Sequence, residues 1–115
     1  MSDYRELTVW QKAMELVVCI YRYTKKFPTD ERHGLTSQMR RAAVSIPSNI
    51  AEGSRRKGKG TGHFLIISFG SASELETQLE ISKRLEYGTE VDREACEVLL
   101  SEVLRMLNKM TANHY

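Results

Sequence analysis

Along most of this 115-residue chain, apolar residues recur at intervals of three and four, and only three short polar or glycine-rich stretches break the pattern. That period belongs to helices packed through one face, and no run alternates as a half-buried strand would. The first stretch carries Val9, Trp10, Ala13, Met14, Leu16, Val17, Ile20, Tyr21, Tyr23 and Phe27. Thr8 and Gln11 have the spacing of a capping box, so the helix is expected to open at Thr8; Phe27-Pro28 should end it, because proline pushes the preceding residue out of the helical region. A second helix beginning near Leu35 places Leu35, Met39, Ala42, Ala43, Ile46 and Ile50 on one side. Pro47 inside it predicts a kink with local 3₁₀ character, and Gly53 is the expected stop.

A third helix is expected from Thr61–His63 to Tyr87, with Gly88 as its terminator. Ala72, Leu75, Leu79, Ser82 and Leu85 should face inward, and Glu74, Glu76, Glu80, Lys83 and Glu86 outward. Its opening residues, Phe64 to Phe69, are apolar almost all round, which predicts burial on two sides and hence a subunit interface. The fourth helix, capped by Thr89 or Asp92, carries Ala95, Val98, Leu99, Val103, Leu104, Met106, Leu107 and Met110. Tail residues 111–115 are expected to fray. Four helices joined by short links fold back on one another. The expected fold is therefore all-α: an antiparallel up-down four-helix bundle, one domain over residues 1–115.

With 41% hydrophobic and 28% charged residues, the composition is that of an ordered globular protein. No apolar run approaches the roughly 20 residues that cross a bilayer, and the first ten residues lack the layout of a signal peptide, so a cytoplasmic protein is expected. The net charge of +2 is unevenly placed. Between Thr36 and His63, six cations (Arg40, Arg41, Arg55, Arg56, Lys57 and Lys59) face Glu52 alone, a net of +5. From Phe64 to Glu102, nine acids face three cations, a net of −6. The two poles either dock on each other or leave the basic one for an anionic partner.

No catalytic or metal-binding constellation emerges. Cys19 and Cys96 have no C-x-x-C partner and read as small apolar fillers; His33, His63 and His114 share no ligand spacing. Ser45 and Ser48 have no nearby histidine. Glu74 and Glu76 lie on different sides of a helix, where an ion pair with Arg40 or Arg41 is the expected use. Gly53 to Lys59 matches the start of a phosphate-binding G-x-x-x-x-G-K loop, but Gly60 stands where a magnesium-binding Ser or Thr must be, and a helix precedes it where a strand is required. What remains is a glycine-spaced basic loop at a helix start, able to hold a phosphate without hydrolysing it.

Three blocks then carry a resemblance: Val9-Trp10-Gln11-Lys12-Ala13, the run from Leu35 through Arg40-Arg41-Ala42-Ala43-Val44-Ser45-Ile46-Pro47 to Gly53, and Gly70 to Leu79. They resemble the intervening-sequence protein family of bacterial 23S ribosomal RNA genes, across nearly the whole chain. The resemblance implies a four-helix bundle assembled as a homopentamer, similar in fold to the accessory variability protein of diversity-generating retroelements, which presents a basic surface to nucleic acid. Where relatives commonly have an aromatic residue after Ala-Glu-Gly, this chain has Ser54 and a more basic loop.

The resulting expectation is a non-enzymatic bundle that binds RNA or DNA by charge, through Arg40, Arg41, Arg55, Arg56, Lys57, Lys59 and His63. No cofactor, metal or small-molecule substrate is expected. The alternative is a structural or protein-interaction module whose two poles satisfy each other.

Overall fold

The computed structural model describes residues 3–56 and 58–112. Lys57 and His114 lie outside the described residues, as does most of the tail expected to fray. Four helices, α1 (Thr8–Thr24), α2 (Leu35–Arg55), α3 (Thr61–Arg84) and α4 (Glu90–Thr111), account for nearly all of the rest. Each packs on its chain neighbours and α1 closes on α4, while the backbones of the diagonal pairs stay more than 8 Å apart. The result is a square up-down bundle with extents of 43 × 21 × 20 Å.

One core runs along the bundle axis, filled by Leu16, Ile20, Met39, Ile46, Ile50, Leu75, Leu79, Val103 and Leu107. The inward side expected for α2 is buried throughout. Five expected inward positions are not: Met14, Tyr21, Leu85, Ala95 and Val98 are exposed, and in α4 Cys96 and Leu100 turn inward. Cys19 and Cys96 are buried free thiols whose sulfurs lie 2.8 Å apart, so the two fillers meet across the α1–α4 seam. Burial pushes the Cys96 thiol far up, which keeps it protonated and inert.

Several helix ends differ from expectation for identifiable reasons. The capping box forms one turn earlier, around a 3₁₀ turn at Tyr4–Glu6, where Asp3 and Glu6 cap each other. Gln11 is then free to donate to the Arg5 carbonyl at 2.9 Å, and α1 opens with no side-chain cap. At the other end, α1 stops at Thr24 and the chain tightens into an i→i−3 bond from Phe27 N–H to the Thr24 carbonyl, leaving three residues to adapt to Pro28.

Helix α2 stays α-helical through Pro47, without the expected 3₁₀ turn. Side chains support the carbonyls just before the proline: Ser48 Oγ donates to Val44 at 2.8 Å, Asn49 Nδ2 to Ser45 at 2.8 Å, and Ser68 Oγ, from α3, to Ile46 at 2.9 Å. Gly53 is not the stop either; it lies buried within α2, which runs on to Arg55. A Cβ at Gly53 would lie 3.2 Å from Phe64 Cβ and 3.3 Å from the Thr61 carbonyl, so this glycine permits the close α2–α3 turn. Helix α3 ends at Arg84, three residues before the expected Tyr87, and Glu86, at φ 59°, takes the left-handed position that closes it, while Gly88, left-handed too at φ 70°, lies two residues further on. Bonds of 3.0 Å from Tyr87 N–H to Ser82 and from Glu86 N–H to Lys83 close a Schellman motif there. Thr89 caps α4 by accepting the Asp92 N–H at 3.2 Å; Asp92 is not the cap.

Candidate nucleic-acid interface

Helix α2 carries Arg40, Arg41 and Arg55, with Arg56 directly after its last residue, and fifteen residues of helix at 1.5 Å each set Arg40 and Arg55 about 22 Å apart. The expected site residues therefore divide into two groups at opposite ends of the bundle.

At the loop end, Arg55, Arg56, Lys59 and His63 are all exposed. Thr61 organises the turn: its Oγ1 donates to the Gly53 carbonyl at 3.0 Å and accepts the Gly58 N–H at 3.0 Å. Gly58 and Gly60 adopt φ of 92° and 75°, a region that only glycine enters freely. Gly60 leads into α3 with no side-chain cap, so the first amides of α3 have no capping side chain to bond and carry the positive end of the helix dipole. Arg56 is partly neutralised, with its Nη2 3.1 Å from Glu52, and its guanidinium lies 5.0 Å from the Phe64 ring centre. Arg55 has no carboxylate partner among the described residues and rests 5.2 Å from the Tyr4 ring centre.

Aromatic side chains that sequence order kept apart meet here. Tyr4 packs edge-on against Trp10 at 5.3 Å, and His63 against Phe64 at 5.3 Å. Tyr4 and Trp10 also line an apolar groove of about 370 Å³ between α1 and α2, with Met14, Val17 and Pro47. The basic loop thus has more aromatic surface than His63 and Phe64 alone, all of it supplied by the N-terminal turn and the start of α1.

At the other end, Arg40 and Arg41 join Arg32, which the sequence pattern did not single out, and Tyr21, which it placed only on the apolar stripe of α1. The ion pair expected between Arg40 or Arg41 and Glu74 or Glu76 does not form. Arg40 instead bonds Thr24, and Glu74 accepts from Gln78 at 3.4 Å. Among the described residues, no three His, Cys, Asp or Glu side chains converge as metal ligands, and no helix is long and apolar enough to cross a membrane.

No curated protein matches this chain. In fold it is similar to a crystal structure of a protein of unknown function from the S23 ribosomal protein family of Bacteroides thetaiotaomicron. The two superpose with a TM-score of 0.78 at 25% identity, over 90% of this chain and 98% of that one. The sequence profile of the 23S rRNA-intervening sequence proteins matches residues 5–109. With the bundle, the run through Pro47 and that match in agreement, the chain belongs to the 23S rRNA-intervening sequence protein family.

Proposed function

We propose that this protein is a non-enzymatic, cytoplasmic nucleic-acid-binding bundle that holds RNA or DNA through the phosphate backbone at its loop end. The observation that carries this reading is the convergence of Arg55, Arg56, Lys59 and His63 on one exposed bundle end, beside the uncapped start of α3. Backbone amides and guanidinium forks suit phosphate oxygens, and nothing in the loop presents a rigid pattern to base edges. Binding is therefore sequence-tolerant, with Tyr4, Trp10 and Phe64 available for stacking on unpaired bases.

Each neutralised phosphate releases counterions, so affinity for an oligonucleotide falls steeply with salt. Replacing Arg55, Arg56, Lys57 and Lys59 by alanine should weaken binding at 50 mM salt by at least tenfold and flatten the slope of log affinity against log salt. A quadruple variant that binds like the parent rules the loop out.

A second reading, self-association, draws on a different observation. Met14, Val18, Tyr21 and Val44 are exposed on α1 and α2, and Ile66, Ile67, Val91 and Val98 on α3 and α4. Apolar surface on two sides suits a ring, proposed as a homopentamer, and light scattering of the purified protein reads its mass directly.

A further inference from the structure

Lys25, Arg32, Arg40 and Arg41 gather where α1 closes and α2 opens, and among the described residues none lies within 4.0 Å of a carboxylate. An open groove of about 600 Å³ is lined by Arg32, Arg40 and Arg41 together with Tyr21, Ser37 and Ser45. A second depression of about 200 Å³ shares Arg32, Thr36 and Arg40 with it and adds Lys25. No acid lines either one, in a chain that carries 15 Asp and Glu. Glu74 borders only a third, adjoining depression that shares Arg41 and Ser45.

Arg40 is held in place. Its Nε donates to Thr24 Oγ1 at 2.9 Å, its Nη2 reaches the Tyr21 carbonyl at 3.5 Å, and its guanidinium lies 4.4 Å from the centre of the Tyr21 ring. Thr24 Oγ1 is itself fixed by donating to the Ile20 carbonyl at 2.7 Å. Closing the last turn of α1 accounts for Arg40. It does not account for Arg32 and Arg41, which are exposed and make no ion pair among the described residues. Holding like charges on one concave wall is unfavourable unless an anion sits among them. Planar guanidinium forks pair bidentately with phosphate oxygens, and the Ser37 and Ser45 hydroxyls add donors. The groove is too large for a bare phosphate, and Tyr21 and Val44 give it an apolar side wall.

We infer that this groove is a second anion site, separate from the basic loop, and that it takes the phosphate monoester of a nucleotide. The monoester can come from a free nucleotide or from the 5′-phosphorylated end of a strand. The inference does not depend on the loop's role.

Calorimetric titration of the full-length protein at low salt, with adenosine monophosphate and with one oligonucleotide bearing either a 5′-phosphate or a 5′-hydroxyl, tests it. Adenosine monophosphate should bind the parent, bind the Arg32→Ala/Arg41→Ala variant at least tenfold more weakly, and bind Arg55→Ala/Lys59→Ala within twofold of the parent. Both arginines are exposed, so an unchanged melting temperature confirms that the groove variant is folded. If a strand end is the source, the parent prefers the 5′-phosphorylated oligonucleotide and the groove variant loses that preference; if a free nucleotide is the source, adenosine monophosphate binds and neither protein discriminates. A parent that binds no adenosine monophosphate and shows no preference for the 5′-phosphate overturns the inference, as does equal loss in the groove and loop variants. Binding of the 5′-hydroxyl oligonucleotide that survives Arg55→Ala/Lys59→Ala counts against the loop reading alone.

Discussion

Glu31 ties two parts of the chain together with one carboxylate. Its Oε1 accepts the Leu35 N–H at 3.0 Å at the start of α2, and its Oε2 accepts the Tyr87 hydroxyl at 2.9 Å beyond the end of α3. The Leu35 amide first, and the Tyr87 hydroxyl second, hold its pKa below the ordinary 4.5. Because the folded value lies below the unfolded one, this contribution is present above about pH 4.5 and is lost as pH falls through the folded pKa. Glu31→Gln keeps the shape but not the charge. Urea unfolding should show the variant less stable than the parent at pH 7, with the gap closing below pH 4.5; a gap of the same size at pH 3 contradicts the assignment. Nearby, the buried Tyr23 hydroxyl does comparable work, lying 2.7 Å from Ser82 Oγ and donating to the Tyr87 carbonyl at 3.1 Å.

At the scale of elements, α2 decides what the bundle can present, because its two ends carry the two basic groups and its Gly53 sets how closely α3 returns. Glycine inside a helix ordinarily costs about 0.5–1 kcal/mol relative to alanine. Gly70 in α3 fits that rule, since a Cβ there meets nothing within 4 Å, so Gly70→Ala should raise stability by roughly that amount. Gly53→Val should instead lower it by about 1–3 kcal/mol, because the added atoms run into Phe64 and the Thr61 carbonyl. Thermal melts of the two variants should shift in opposite directions; a Gly53→Val protein as stable as the parent would show that the turn has slack. The buried side of α2 was legible in its sequence, because Leu35, Met39, Ala42, Ala43, Ile46 and Ile50 follow one period. The α-helical passage through Pro47 was not, since it depends on Ser68 from another helix as well as Ser48 and Asn49. Grouping Arg40, Arg41, Arg55 and Arg56 into one site followed adjacency in the chain, whereas helical rise separates them. Tyr4 beside Arg55, and Tyr21 and Arg32 beside Arg40, come from other segments, and only the register of the α1–α2 hairpin brings them together.

For the whole molecule, the proposed ring makes a demand stricter than mass alone. A closed ring uses head-to-tail contacts, in which two different patches of each subunit meet, so spoiling either patch breaks every contact in the ring. Val18 on α1 and Val98 on α4 are 56% and 62% exposed, so a charge at either can be solvated in the isolated subunit without disturbing the core. If they belong to the two complementary patches, Val18→Glu and Val98→Glu each give a monomer with an unchanged melting curve of the fold. A mixture of the two is the sharper measurement, because each variant keeps one intact patch and those patches complement each other. One contact then forms and no second one can follow, so light scattering of the mixture should show dimers and nothing larger. Variants that remain fully assembled would place the contacts elsewhere, and a mixture that stays monomeric would mean both substitutions fall on the same patch. The same preparations separate assembly from ligand binding, since neither valine lies among the arginines. A monomer that still binds an oligonucleotide with the parent's salt slope assigns that binding to the single bundle, whereas a slope that collapses with the ring means that loops from several subunits share one strand.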